Sequence, residues 1–258
     1  MSDDASPLVT AAWSFGVLVV FLLLWQYGPG WIGMPEFVLP PMTRVAEEAV
    51  RIWHTERLLW HAGITALEVV IGFVLGSAMG AMIGYALGVS PRVEAILSPY
   101  LLALQIAPKV AFAPLFVMWL GYTIYPKILV AVLIVFFPVL INTATGVRAV
   151  DPVALDVART FQAGRWRTLA AIVLPAALPY VMAGLRTSLA LALIVTVVAE
   201  MIAGSAGLGY HLVTMQYAMR APDMYAAIVL LAAVGYALNR GMLALERRLL
   251  HWYQRDAA

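Results

Sequence analysis

The chain contains no cysteine, which excludes disulfide bridges and thiolate metal sites together. Lysine is almost missing as well. Only Lys109 and Lys127 occur, and neither follows a glycine, so there is no G-x-x-x-x-G-K-[ST] loop to cradle the phosphates of ATP. Charge of either sign is scarce, at 12% of 258 residues, and the 16 basic side chains form no block that would grip nucleic acid. The four histidines, His54, His61, His211 and His251, lie scattered without ligand spacing, so no metal site is expected. No triad or paired acid supports an enzyme, and hydrolytic chemistry, if used, belongs to another chain.

What is abundant is apolar surface. Hydrophobic residues make up 63% of the chain, and the mean hydropathy is +0.89. These values indicate an all-α polytopic membrane protein. Ala5 to Pro35 carries no charge over 31 residues. The acidic Ser2-Asp3-Asp4 before it is unlike the basic start of a secretory leader, so 1–35 is expected to be a retained membrane helix and turn. Residues 36–60 mix Val45, Val50, Ile52 and Leu58 with Glu47, Glu48, Arg51 and Arg57, the pattern of an amphipathic extracytoplasmic segment.

Residues 61–250 form the expected transmembrane core. Val69 to Pro91 is a charge-free run of 23 residues, and Ile128 to Val147 one of 20, each long enough to span about 30 Å of hydrocarbon. Gly72, Gly76, Gly80, Gly84 and Gly88 recur every fourth position, which predicts a bare helix face pressed against another helix. Pro108 and Pro114 break the apolar stretch 98–122. Irregular backbone at that depth is tolerated only when buried in protein or lining a wet cavity. With helices near 176–203 and 225–246, about six transmembrane helices are expected, followed by a tail at 251–258. Nine arginines then fall on the side of the 148–175 loop and five basic residues, Lys127 among them, on the other, so the loop and both termini are expected in the cytoplasm.

The 148–175 loop carries the most information. Asp151-Pro152 is a helix start, with Asp as N-cap and Pro at the first helical position. A short helix follows, with Val153, Val157 and Phe161 on an apolar side and Asp156 and Arg159 on a charged one. Then come a turn at Gln162 to Gly164 and a second short helix ending at Pro175. Such a unit cannot bury a core alone and must dock on something else.

These residues resemble the EAA loop of ABC importer permeases: E-A-A, three residues, Gly, nine residues, I-x-L-P. Asp156-Val157-Ala158 stands for E-A-A and Gln162 for the glycine, while Ile172, Leu174 and Pro175 fall in register. With Gln at the glycine position, Gly164 is the expected source of permissive backbone. LPPMTRV (39–45), TALEVVIGFVLGSAMGAMIGYALG (65–88), PKVAFAPLFVMWLG (108–121), FFPVLINTATGVRAVDP (136–152) and GSAGLGY (204–210) are similar to the nitrate/sulfonate/taurine/pyrimidine-precursor group of such permeases.

The resemblance implies a homodimer in the bacterial inner membrane, two ABC ATPase subunits that hold the ATP and Mg, and an extracytoplasmic solute-binding protein. It implies no cofactor in this chain and import of a small organic or anionic solute, with a weak leaning toward pyrimidine precursors over nitrate. Val153, Asp156, Val157, Ala158, Arg159, Phe161, Gln162 and Gly164 are the expected ATPase-coupling residues. Glu68, Pro108, Lys109 and Glu200 are candidates for the translocation pathway. Two readings of the acids stand: a polar path, or structural ion pairs. The alternative function, a secondary transporter driven by an ion gradient, would show inverted repeats and acids at mid-membrane.

Overall fold

The computed structural model describes residues 7–55 and 57–252, in which every regular element is a helix and there is no strand. The expectations for residues 1–6, and for the tail from 253 onward, lie outside the described residues. Two units pack separately. One comprises the described residues of Met1–Leu59 with His211–Leu230; the other comprises Trp60–Tyr210 with the described residues of Leu231–Ala258. Residues 211–230, placed by sequence within the 61–250 core, thus pack with the N-terminal helices.

In the first unit α1 (Pro7–Trp31) leads to α2 (Met42–Thr55). Trp25 Nε1 donates to the Pro40 carbonyl at 3.1 Å, and Thr43 N–H donates to Gln26 Oε1 at 3.0 Å. Asp223, buried, receives Arg51 at 3.1 Å and Arg220 at 2.6 Å. The Arg51 guanidinium beside Glu48 holds that carboxyl below the usual carboxylate range. The amphipathic helix stops at Thr55, short of the expected Trp60, and Arg57 turns the chain in the left-handed region at φ 50°.

The second unit holds α3 (Leu58–Val89), α4 (Pro91–Ile106), a 3₁₀ turn Lys109–Phe112, α5 (Ala113–Leu120), α6 (Tyr125–Arg148), α7 (Pro152–Thr160), α8 (Arg165–Thr168) and α9 (Leu174–Ala203). A π turn, Leu169–Val173, joins α8 to α9. Pro175 has no N–H to donate, and the widened turn contains the Ala171 carbonyl that a regular helix would have bonded to it. Then α10 (Leu208–Tyr217) leads to α11 (Ala221–Leu249), which runs from the first unit into the second.

Among the described residues five helices are long and apolar enough to cross a membrane: α1, α3, α6, the α8–α9 rod and α11. The α4–α5 pair, bent by 79° at the Pro108 break, makes a sixth if it counts as one span. Helix α3 begins eleven residues before the expected start at Val69. Glu68 therefore sits inside the helix, not at its end.

The glycine strip finds its partner within the chain. A Cβ on Gly72 would fall 2.5 Å from the Ala131 Cβ, one on Gly80 2.6 Å from the Phe136 carbonyl, and one on Gly84 2.5 Å from the Leu140 carbonyl. Helices α3 and α6 are thus in backbone contact. Gly146 and Gly184 also bring α6 close to α9, and Ser188 Oγ donates across that seam to the Val135 carbonyl at 3.2 Å. Gly80→Leu, which meets backbone that cannot yield, is expected to cost about 1–3 kcal/mol or more. Val74→Leu, on an exposed face, should cost almost nothing. Thermal unfolding of the two purified variants separates them, and equal tolerance would contradict the packing.

Candidate functional site

The α7–α8 segment is built as its sequence dictates. Asp151 Oδ1 accepts the Val153 N–H at 2.8 Å, capping α7. At the other end Ala163 N–H bonds to the Ala158 carbonyl and Gln162 N–H to the Arg159 carbonyl, both at 2.9 Å. This is the paired closure of a Schellman motif, which requires a left-handed residue in the Gln162 position. Gln162 itself takes that conformation, at φ 51°. Gly164 does not supply it: at φ −63° and ψ 154° it is extended and opens α8. Glutamine thus holds a backbone state that glycine adopts without strain.

The two sides of α7 have different tasks. Leu155 packs on the cluster of Val147, Val150, Val173 and Ala177, and Ala158, three residues on, is buried. They seat the helix on its own chain. Ala158 was expected on the docking surface; its burial places it on the permease side instead. Val153, Val157 and Phe161 point away, 67%, 50% and 81% exposed. Their spacing of four residues lines them along one stripe. Asp156 and Arg159 pair beside the stripe at 2.8 Å, both well exposed. Trp166, 83% exposed on α8, extends the apolar surface. Sequence reasoning passed over it, although an indole between Arg165 and Arg167 in a polar segment was a visible signal.

Two of the pathway candidates come together in the interior. Glu68 on α3 and Glu200 on α9 are 0% and 1% exposed. Lys127 Nζ, also buried, lies 2.5 Å from Glu68 Oε1. This lysine was expected as a charge at the outer boundary; burial against Glu68 removes it from that role. Glu200 accepts from Thr65 Oγ1 and from Gly209 N–H, each at 2.7 Å. Thr65 Oγ1 in turn accepts from Leu208 N–H at 2.8 Å, and His61 Nδ1 from Gly207 N–H at 3.1 Å. Three successive N–H groups at the start of α10 are therefore satisfied by side chains of α3 and α9. Gly207, at φ 108°, leaves no room for a Cβ, which would fall on the Glu200 carboxylate. The GSAGLGY stretch is thereby explained as a turn folded onto a buried acid.

The other two candidates lie elsewhere. Pro108 and Lys109 form the α4–α5 break, where Lys109 Nζ donates to the Gln105 carbonyl at 2.5 Å and lies 4.7 Å from the Phe137 ring centre. A cavity of about 350 Å³ opens beside them, lined by Gln105, Lys109, Phe137, Pro138, Asn142 and Leu191 among others. Arg186, whose partner could not be assigned from sequence, pairs with Glu246.

The spanning helices thus pack closely, with a proline break beside a cavity and a short helical loop that carries an exposed apolar stripe. The chain is matched over residues 61–251 by the family model described as binding-protein-dependent transport system inner membrane component, and it belongs to that family. It is 36% identical over 238 residues to the riboflavin transport system permease protein RibX of Chloroflexus aurantiacus (strain ATCC 29366 / DSM 635 / J-10-fl), covering 91% of this chain and 88% of that one. It is 31% identical over 245 residues to the taurine transport system permease protein TauC of Escherichia coli (strain K12), covering 93% and 89%. In fold it is similar to a chain of the MetNI methionine ABC transporter in an inward-facing conformation, with TM-score 0.62, 16% identity, and coverage of 77% and 97%. The importer-permease reading thus stands over the ion-driven alternative.

Proposed function

We propose that this permease forms half of a homodimeric importer core in a bacterial inner membrane, with both termini cytoplasmic. A separate ABC ATPase binds ATP and Mg and docks on α7, and a solute-binding protein delivers substrate to the opposite face. The observation that carries this reading is the exposed stripe of Val153, Val157 and Phe161. Left in water, large apolar side chains forgo about 1.5–3 kcal/mol each relative to burial, and a groove in the ATPase supplies that burial. Asp156 and Arg159, at the rim, set register more than affinity, since exposed pairs are worth about 0–1 kcal/mol.

The solute is a small organic or anionic molecule, and its route passes the Pro108–Lys109 break. The cavity there supports this, because it joins apolar walls to a few convergent polar groups, Lys109, Gln105 and Asn142. Glu68 and Glu200 are structural on this reading, locked with Lys127 and the α10 turn. The namesake solutes of the relatives, riboflavin and taurine, differ too much to fix the substrate.

The test uses the absence of native cysteine. Gln162→Cys should escape an impermeant thiol reagent in intact cells and react in inverted vesicles, while the ATPase co-purifies with the permease. Labelling in intact cells would overturn the orientation and, with it, the docking role of α7.

A further inference from the structure

A cavity of about 940 Å³ lies between the ends of α3 and α6 and the α7–α8 segment. Its inner wall is apolar, formed by Val147, Val150, Leu155 and Val173 of one hydrophobic cluster. Its lip is basic, and the three guanidiniums come from three elements: Arg148 ends α6, Arg159 lies on α7 and Arg165 opens α8. Two acids answer them: Glu94, 2.7 Å from Arg148, and Asp156, 2.8 Å from Arg159. Among the described residues Arg165 has no acidic group within ion-pair distance. The cavity therefore keeps an excess positive charge beside an apolar wall, at the level where two spans end.

We propose that this cavity binds the phosphate of an anionic phospholipid, with an acyl chain lying along the Leu155–Val173 wall. Guanidinium forks match phosphate oxygens two at a time, and they are weakly hydrated enough to be covered by lipid. Basic pockets on the cytoplasmic side of spanning helices suit such headgroups. A zwitterionic headgroup would bring an ammonium toward the arginines and lose the match. The inference rests on the cytoplasmic placement of α7–α8, which the thiol labelling at position 162 decides independently.

The experiment is native mass spectrometry of the full-length permease in complex with its ATPase. The complex is titrated in turn with phosphatidylglycerol, phosphatidylcholine and inorganic phosphate. Phosphatidylglycerol should bind preferentially. Arg148→Gln with Arg165→Gln should weaken it about 25-fold, at roughly fivefold per basic residue removed, and leave phosphatidylcholine unchanged. Arg240→Gln, on an exposed part of α11, is the control for general charge loss. Leu155→Trp keeps every guanidinium but fills the cavity, and it should lower phosphatidylglycerol binding by itself. Undiminished preference in both the double variant and Leu155→Trp would overturn the proposal. So would inorganic phosphate binding as tightly as the lipid, which would make this a site for soluble anions. Phosphatidylglycerol binding that appears only once the ATPase is removed would assign the cavity to the protein partner and overturn it equally.

Discussion

Val157→Asp combined with Phe161→Asp is expected to abolish ATP-driven uptake while the permease remains folded and in the membrane. Both side chains are exposed on the outer stripe of α7, so few internal contacts are lost. The cost falls on the complex. Two apolar anchors, each worth about 1.5–3 kcal/mol on burial, give way to carboxylates that resist desolvation. At tenfold in affinity per about 1.4 kcal/mol, the ATPase should dissociate at least a hundredfold more readily. Co-purification of the ATPase and uptake into vesicles, measured on one preparation, should fall together. A variant that keeps its ATPase and its transport rate would refute docking at this stripe. Ala158→Asp is not an equivalent test, because Ala158 is buried under α7 and a carboxylate there would unseat the helix.

Lys127→Met should damage the fold itself. It leaves Glu68 buried without its cation, and removing one partner of a buried pair typically costs about 3–5 kcal/mol. The informative comparison is the double variant Lys127→Met with Glu68→Leu, which removes both charges and should recover most of the lost thermal stability. If Lys127→Met unfolds no earlier than the parent, the pair contributes nothing to stability. If the double variant is as unstable as the single one, Lys127 acts through contacts other than Glu68.

The sequence made the loop legible and the buried polar cluster nearly illegible, for different physical reasons. An N-cap, a proline at the first helical position and an i, i+4 stripe are local signals, and Asp151, Pro152, Val153 and Val157 are close enough to be read together. Which side of α7 seats on the chain is not local. It depends on the α6 and α9 residues that receive Leu155, and so Ala158 was assigned to the wrong face. Glu68, Lys127 and Glu200 belong to three helices far apart in the chain, and nothing in their neighbours states that they meet. The glycine period predicted close packing of α3, and folding alone revealed that α6 is the helix it meets. Gln162 shows the converse: the Schellman closure of α7 fixes a left-handed residue there whatever its side chain, and the more permissive Gly164 was not needed.

The π turn at Leu169–Val173 makes one continuous rod of α8 and α9, 39 residues from Arg165 to Ala203. At 1.5 Å per residue the rod is about 58 Å long, so a tilt of about 10° about its midpoint carries each end through about 5 Å. Trp166 stands at the near end of this lever, and Glu200 grips the α10 turn at the far end. Between them, Gly184 presses the rod against α6, which gives it a fulcrum. A partner that grips the loop therefore holds a handle on the α10 turn at the other end of the rod.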